Sequence, residues 1–174
     1  PSGIKQLVKH WENTDLGKKY PELNSCIYFI NKQQEHQQHK IKTTGLTVNI
    51  CSFSYANGSY PIDLSGHGGG YVFDCRGLQN PGRIDGYKHL TGKDKKVIDY
   101  MRLYDEVENF IKAAYQIIER HATLYESQGY LYLFAAFGCT GGQHRSVYCA
   151  EEVAKRLEFN GFDVHLWHRD IPKI

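Results

Sequence analysis

Five residues separate Cys139 from Arg145, and around them stand Thr140, Gly141, Gly142, His144 and Ser146. The group joins a sulfur nucleophile, a planar cation and a glycine turn whose backbone N–H groups are free to converge on an anion. Arginine's fork matches two phosphate oxygens, and each charge-assisted hydrogen bond contributes about 1.5–3 kcal/mol. Two chemistries suit these residues. One is capture of a phosphate, with Cys139 merely lining the loop. The other is attack on it by a Cys139 thiolate that a helix start and Arg145 stabilise. A third reading needs no ligand: Cys139 packs at a strand end and Arg145 pairs structurally.

The catalytic reading asks for more parts. C-x5-R followed by Ser is the spacing of cysteine-dependent phosphatases, with Cys139 and Arg145 as the catalytic pair. Turnover then needs a general acid on another loop to protonate the leaving oxygen. Asp63, Asp74 and Asp85 are candidates, none singled out by its neighbours. Asp74 and Arg76 follow a strand at the sheet edge where the glycine loop belongs. Arg76 is therefore a second anion contact or, equally, a salt-bridge partner of Asp74 or Asp85. GHGGG at 66–70 is similar to the oxyanion loop of lipases, but the chain has no G-x-S-x-G elbow to go with it. What remains of that loop is either His67 carried to a ligand on glycines that let backbone approach it or, equally, a merely flexible loop. His36 and His39 lie in a polar run without the cysteines or carboxylates of a metal set, and HLWHRD (165–170) reads as a solvated strand end. No metal and no cofactor is expected.

An α/β arrangement must position these residues. LTVNICSFS (46–54) and YVFDC (71–75) read as core strands, rich in β-branched and aromatic residues. Long irregular stretches follow each, and loops of such length are usually functional. From Asp94 an amphipathic stripe runs through Val97, Ile98, Met101, Leu103, Val107, Phe110, Ile111, Ala114, Ile117 and Ile118 to about Tyr125, predicting one helix. A strand at 130–137, a helix at 147–160 and a strand at 163–167 complete a strand–helix–strand unit, which implies a right-handed parallel crossover. The fold expected is a mixed, mainly parallel sheet flanked by helices, with a strand–glycine loop–helix anion site at the carboxyl edge. Ahead of it, Ile4, Leu7, Val8 and Trp11 share a helical face, SCIYFIN (25–31) reads as a short strand, and NKQQEHQQHK (31–40) as a linker. Residues 1–40 thus form an N-terminal helical extension and polar linker, and residues 41–174 the α/β domain.

Bulk properties narrow the class. The chain has 174 residues, 41% hydrophobic and 23% charged, which suits one soluble domain of ordinary size. A net charge of +2 is too small to argue for nucleic acid by itself. Five scattered cysteines without a C-x-x-C pair suggest reduced thiols and a cytoplasmic setting. No apolar stretch approaches a membrane span. The chain begins at Pro1 rather than methionine, as a processed protein or an excised piece would.

GCTGGQHRSVYCAEEVAKRL (138–157) resembles the hallmark segment of the C-terminal domain of the RapZ (RNase adapter protein) family. SFSYANG (52–58), PIDL (61–64), YVFDCRGLQNP (71–81), LTGKDKKVIDYM (90–101), EVENFI (106–111) and HLWHRD agree in order, so the resemblance covers roughly residues 46–170. It implies a regulatory domain that binds a phosphorylated amino sugar, glucosamine-6-phosphate, at the glycine loop. RNA and an endoribonuclease are the further implied partners, and a nucleotide-binding P-loop domain precedes this one in family members. Carried over, Cys139, Thr140, Gly141, Gly142, His144, Arg145 and Ser146 line the phosphate pocket, with Asp74 and Arg76 as sheet-edge contacts. The chain departs from the family in three places. Gln143 stands where lysine or arginine is usual, removing a charge from the pocket mouth. YANG replaces F-K-H-G, so Asn57 takes the place of a histidine for which His67 can substitute. The basic tail is reduced to IPKI.

Overall fold

The computed structural model describes residues 45–63, 65–66 and 69–171. Within them β1 (Thr47–Ser54), β2 (Tyr71–Asp74), β3 (Tyr132–Cys139) and β4 (Asp163–His168) form one sheet in the order β2-β3-β1-β4. Every pairing is parallel, with Thr47 opposite Tyr132 and Asp163, and Tyr71 opposite Ala135. The sheet is therefore wholly parallel among the described residues, in keeping with the mainly parallel α/β sheet read from the sequence. The central pair, β1 and β3, is buried from its second residue to its last, β3 as an unbroken apolar run and β1 with Asn49, Ser52 and Ser54 among its buried residues.

Alternation along the strands divides the core into two. Val48, Ile50, Leu133, Ala135 and Phe137 pack with α2 (Asp105–Ser127) and α3 (Arg145–Phe159) through Val107, Ile111, Ile118, Cys149, Val153 and Leu157. Cys51, Phe53, Phe134 and Ala136 form a second cluster, with Tyr55, Tyr132 and Trp167 against it.

Several elements differ from their sequence reading. β2 is a half-buried edge strand rather than a core strand. It stops at Asp74 because that carboxylate accepts the Arg76 N–H at 2.9 Å and caps a 3-10 turn over Cys75–Gly77. A second such turn, Pro81–Arg83, follows in what read as irregular chain. The long apolar stripe is two helices, α1 (Lys95–Met101) and α2, broken at 102–104. Leu103 leaves the stripe and is 76% exposed, while the Tyr100 and Tyr104 rings meet edge to face across the break. Asp105, Glu106 and Glu108 then open α2, where the helix dipole favours negative charge. β3 runs two residues later than expected and α3 starts two residues earlier. Polar residues at 144–146 suggested loop, yet His144, Arg145 and Ser146 are all buried. The helix, strand and linker read within residues 1–40, and the boundary placed after them, lie outside the described residues.

Candidate anion-binding site

Strands that all run the same way gather their carboxyl ends at one edge, and there β3 delivers Cys139. Residues 140–144 form the loop and α3 opens at Arg145. Two glycines set its shape. Gly142 has φ +64, and a Cβ there would stand 2.8 Å from the Ser54 amide nitrogen, so the turn needs both the left-handed backbone and the missing side chain. A Cβ on Gly92 would strike the backbone of His144 and Tyr148, so the 88–92 segment lies directly on the first turn of α3. The Gly92 N–H donates to the Gln143 carbonyl at 2.8 Å. Gln143 Nε2 donates in return to the carbonyls of Lys88 and Leu90, at 3.0 and 2.6 Å.

Inside the loop, the Thr140 carbonyl accepts from Ser54 Oγ at 2.7 Å and from the Ala56 N–H at 3.2 Å. The N–H groups of Gly141, Gly142 and Gln143 have no protein acceptor among the described residues. Arg145 is 6% exposed. Its Nη1 donates to the carbonyls of Arg76 and Leu78, at 2.7 and 3.2 Å, which ties α3 to the first 3-10 turn. Nε and Nη2 are left without a protein acceptor among the described residues. Arg145 borders two cavities. One, of about 250 Å³, is walled by Lys88, Cys139, Thr140, Gly141, Gln143 and His144. The other, of about 380 Å³, is walled by Arg76, Leu78, Arg83, Ile84 and Tyr100. Asn80 is common to both.

The residues singled out by the sequence fall into three groups. Cys139, Thr140, Gly141, His144 and Arg145 come together around the smaller cavity. His144 is held there by a 2.9 Å contact from Nε2 to the Tyr87 carbonyl. Gly142 and Ser146 serve the loop from behind: Ser146 is fully buried, with Oγ 3.1 Å from the Cys139 sulfur. Asp74 and Arg76 reach the edge but engage each other, through Arg76 Nε at 2.9 and 3.0 Å and Nη2 at 2.6 Å. The Arg76 guanidinium hydrogen-bonded to Asp74 holds that carboxyl below the usual range, and the same guanidinium stacks 4.1 Å above the Tyr55 ring. Asp63 accepts from Ser65 N and Oγ, and Asp85 pairs with Lys88 at 3.1 Å. His67 lies outside the described residues.

Two readings change. HLWHRD is not a solvated strand end, because the chain leaving β4 runs on beside the end of β1. His168 Nδ1 lies 2.8 Å from Ser52 Oγ, and its Nε2 lies 3.2 Å from Glu151 of α3. Arg169 donates to the Ser59 and Ser54 carbonyls at 2.6 and 2.9 Å and to Asp170 at 2.9 Å, while Asp170 accepts the Ser54 N–H at 2.7 Å. Gln143 is the second. It removes a charge from the loop, yet its amide fastens the segment that brings Lys88 to the same cavity. Lys88, Asn80 and Arg83 were missed because they sit in a stretch without periodicity. Asn80-Pro81-Gly82 was the one signal, a turn signature that fixes the backbone on either side.

Among the described residues no cluster of three or more His, Cys, Asp or Glu side chains could hold a metal ion, and no helix is long and apolar enough to cross a membrane. A family profile described as the RapZ C-terminal domain matches residues 46–172. A nucleotide-binding protein of Acidobacterium capsulatum is 41% identical over 155 residues, covering 87% of this chain and 48% of that protein. Nucleotide-binding proteins of Thermotoga neapolitana and Caldicellulosiruptor bescii are 31% and 38% identical, over 88% and 87% of this chain and 55% and 48% of their own lengths. The chain spans about half the length of these curated relatives.

Proposed function

Because the chain belongs to the RapZ C-terminal domain family, we propose that its glycine loop captures a phosphorylated sugar and that the domain acts as a regulatory sensor. The observation that carries this reading is Arg145. A guanidinium 6% exposed, bonded through one nitrogen to two carbonyls in a residue that borders two cavities, is a buried cation with no carboxylate in contact among the described residues. A phosphate dianion supplies that counter-ion. It would accept from Arg145 Nε and Nη2 and from the amides of Gly141, Gly142 and Gln143, with Lys88 at the mouth and His144 on the wall. The first ligand to test is the one the resemblance implies, glucosamine-6-phosphate. Calorimetric titration should show saturable binding to the wild-type chain and binding weaker by about 100-fold or more to Arg145→Ala, with circular dichroism confirming that the variant is folded. Equal binding by the two proteins overturns the assignment.

A second reading is favoured by one contact. Cys139 lines the same cavity, and Ser146 Oγ, 3.1 Å from its sulfur, is placed to donate to a thiolate. That arrangement would serve a cysteine-dependent phosphatase. Against it stands the acid: of the candidates, Asp74 is held ionised by Arg76, and Asp85 is paired and exposed. Hydrolysis of an aryl phosphate that disappears in Cys139→Ser would establish the enzyme, and absence of turnover by the wild type removes it. For the whole protein, the family brings RNA and a ribonuclease into the proposal as partners. A gel shift that weakens steeply with salt is their signature.

A further inference from the structure

The sugar-phosphate reading leaves the larger cavity beside Arg145 without a role. The loop cavity, about 250 Å³, is smaller than the roughly 300–1,000 Å³ usual for small-molecule sites. The neighbouring one, about 380 Å³, lies beside it and shares the Arg145 and Asn80 walls. Charge in the second cavity is one-sided. Arg76 is neutralised by Asp74. Arg83, at the end of the Pro81–Arg83 turn, has no carboxylate partner among the described residues. Its backbone is nonetheless fixed, since Pro81 is buried and Asn80 Oδ1 accepts the Gly82 N–H at 3.1 Å. Leu78, Ile84 and Tyr100 line this cavity and offer apolar surface to a carbon skeleton.

We infer that the site takes a phosphorylated sugar bearing a second anionic group, with the first phosphate in the glycine loop and the second anion on Arg83, across Arg145. The inference rests on the sugar-phosphate reading of the loop. A second phosphate and a carboxylate share the required chemistry, since either presents oxygens to the Arg83 fork.

The test is calorimetry on the full chain at fixed ionic strength with glucose-6-phosphate, glucose-1,6-bisphosphate and 6-phosphogluconate. Wild-type protein should bind at least one of the doubly anionic ligands about tenfold or more tighter than glucose-6-phosphate. Which one gains tells phosphate from carboxylate. Arg83→Ala should erase the gain while leaving glucose-6-phosphate affinity unchanged, and Arg83→Lys should retain part of it. If glucose-6-phosphate binds but a second anion adds nothing, or if the gain survives Arg83→Ala, the inference falls and the loop assignment stands. If none of the three binds while glucosamine-6-phosphate does, the inference falls and the loop assignment stands; if glucosamine-6-phosphate fails as well, both fall.

Discussion

Arg145 and Arg169 lie at the same edge of the sheet, each near the carboxyl end of a parallel strand, and they are used in opposite ways. Arg169 is fully engaged: Nε on Asp170, Nη1 on the Ser59 carbonyl, Nη2 on the Ser54 carbonyl, with the guanidinium 5.4 Å from the Phe53 ring centre. It locks the end of β4 onto β1. Arg145 is more deeply buried, yet among the described residues only Nη1 has protein acceptors, and none is a carboxylate. A saturated fork is a staple. A fork held by one nitrogen is pre-organised for an anion while remaining available to it, which is the arrangement that lowers the entropic cost of binding.

Breaking each arginine in turn should separate the two roles. Arg145→Ala is expected to weaken sugar-phosphate binding by a factor of about 100 or more, since it removes two charge-assisted bonds; titration calorimetry measures it. Arg169→Ala should leave affinity within about twofold and instead lower folding stability by about 1–2 kcal/mol, read from urea unfolding. If the two variants exchanged phenotypes, the assignment of roles would be reversed. Gln143→Ala sharpens the comparison at smaller scale. Freed from its bonds to the Lys88 and Leu90 carbonyls, the 88–92 segment should hold Lys88 less firmly, with affinity falling about fivefold, or about 1 kcal/mol.

The smallest effect concerns acid. The hydrogen bond with His168 holds the Glu151 carboxyl below its usual range, against burial and with help from Lys93. A carboxylate depressed in the folded state contributes stability above its unfolded pKa and loses it as pH falls through the folded one. Glu151→Gln should therefore flatten the loss of stability between about pH 5 and pH 3, followed by chemical denaturation at a series of pH values. An unchanged acid limb would show that this contact carries no stabilising charge.

Legibility varied along the chain for physical reasons. β3 was readable because a strand buried on both faces is apolar throughout, and β1 because Val48, Ile50, Cys51 and Phe53 outweigh its buried Asn49, Ser52 and Ser54. The break at 102–104 was not, since Val97 to Ile118 keep helical spacing across it and only the tertiary path turns Leu103 outward. At the site, Cys139 and Arg145 announced themselves by spacing and glycine neighbours. Lys88 and Arg83 did not, because a side chain brought in from an irregular loop leaves no period in the sequence. The pairing of Asp74 with Arg76 was open between ligand contact and ion pair, and the geometry shows the ion pair.

By itself the sequence determined the α/β class, the strand–glycine loop–helix order and the family, because each is local: a run of apolar residues, a turn that needs glycine, a string of motifs in order. Only the tertiary structure decided how the donors are allotted. Whether an arginine is saturated or left open depends on carbonyls far away in the chain, those of Arg76 and Leu78 for Arg145 and those of Ser54 and Ser59 for Arg169. Hydrogen-bond satisfaction is a property of three-dimensional neighbours, and no spacing along the chain encodes it.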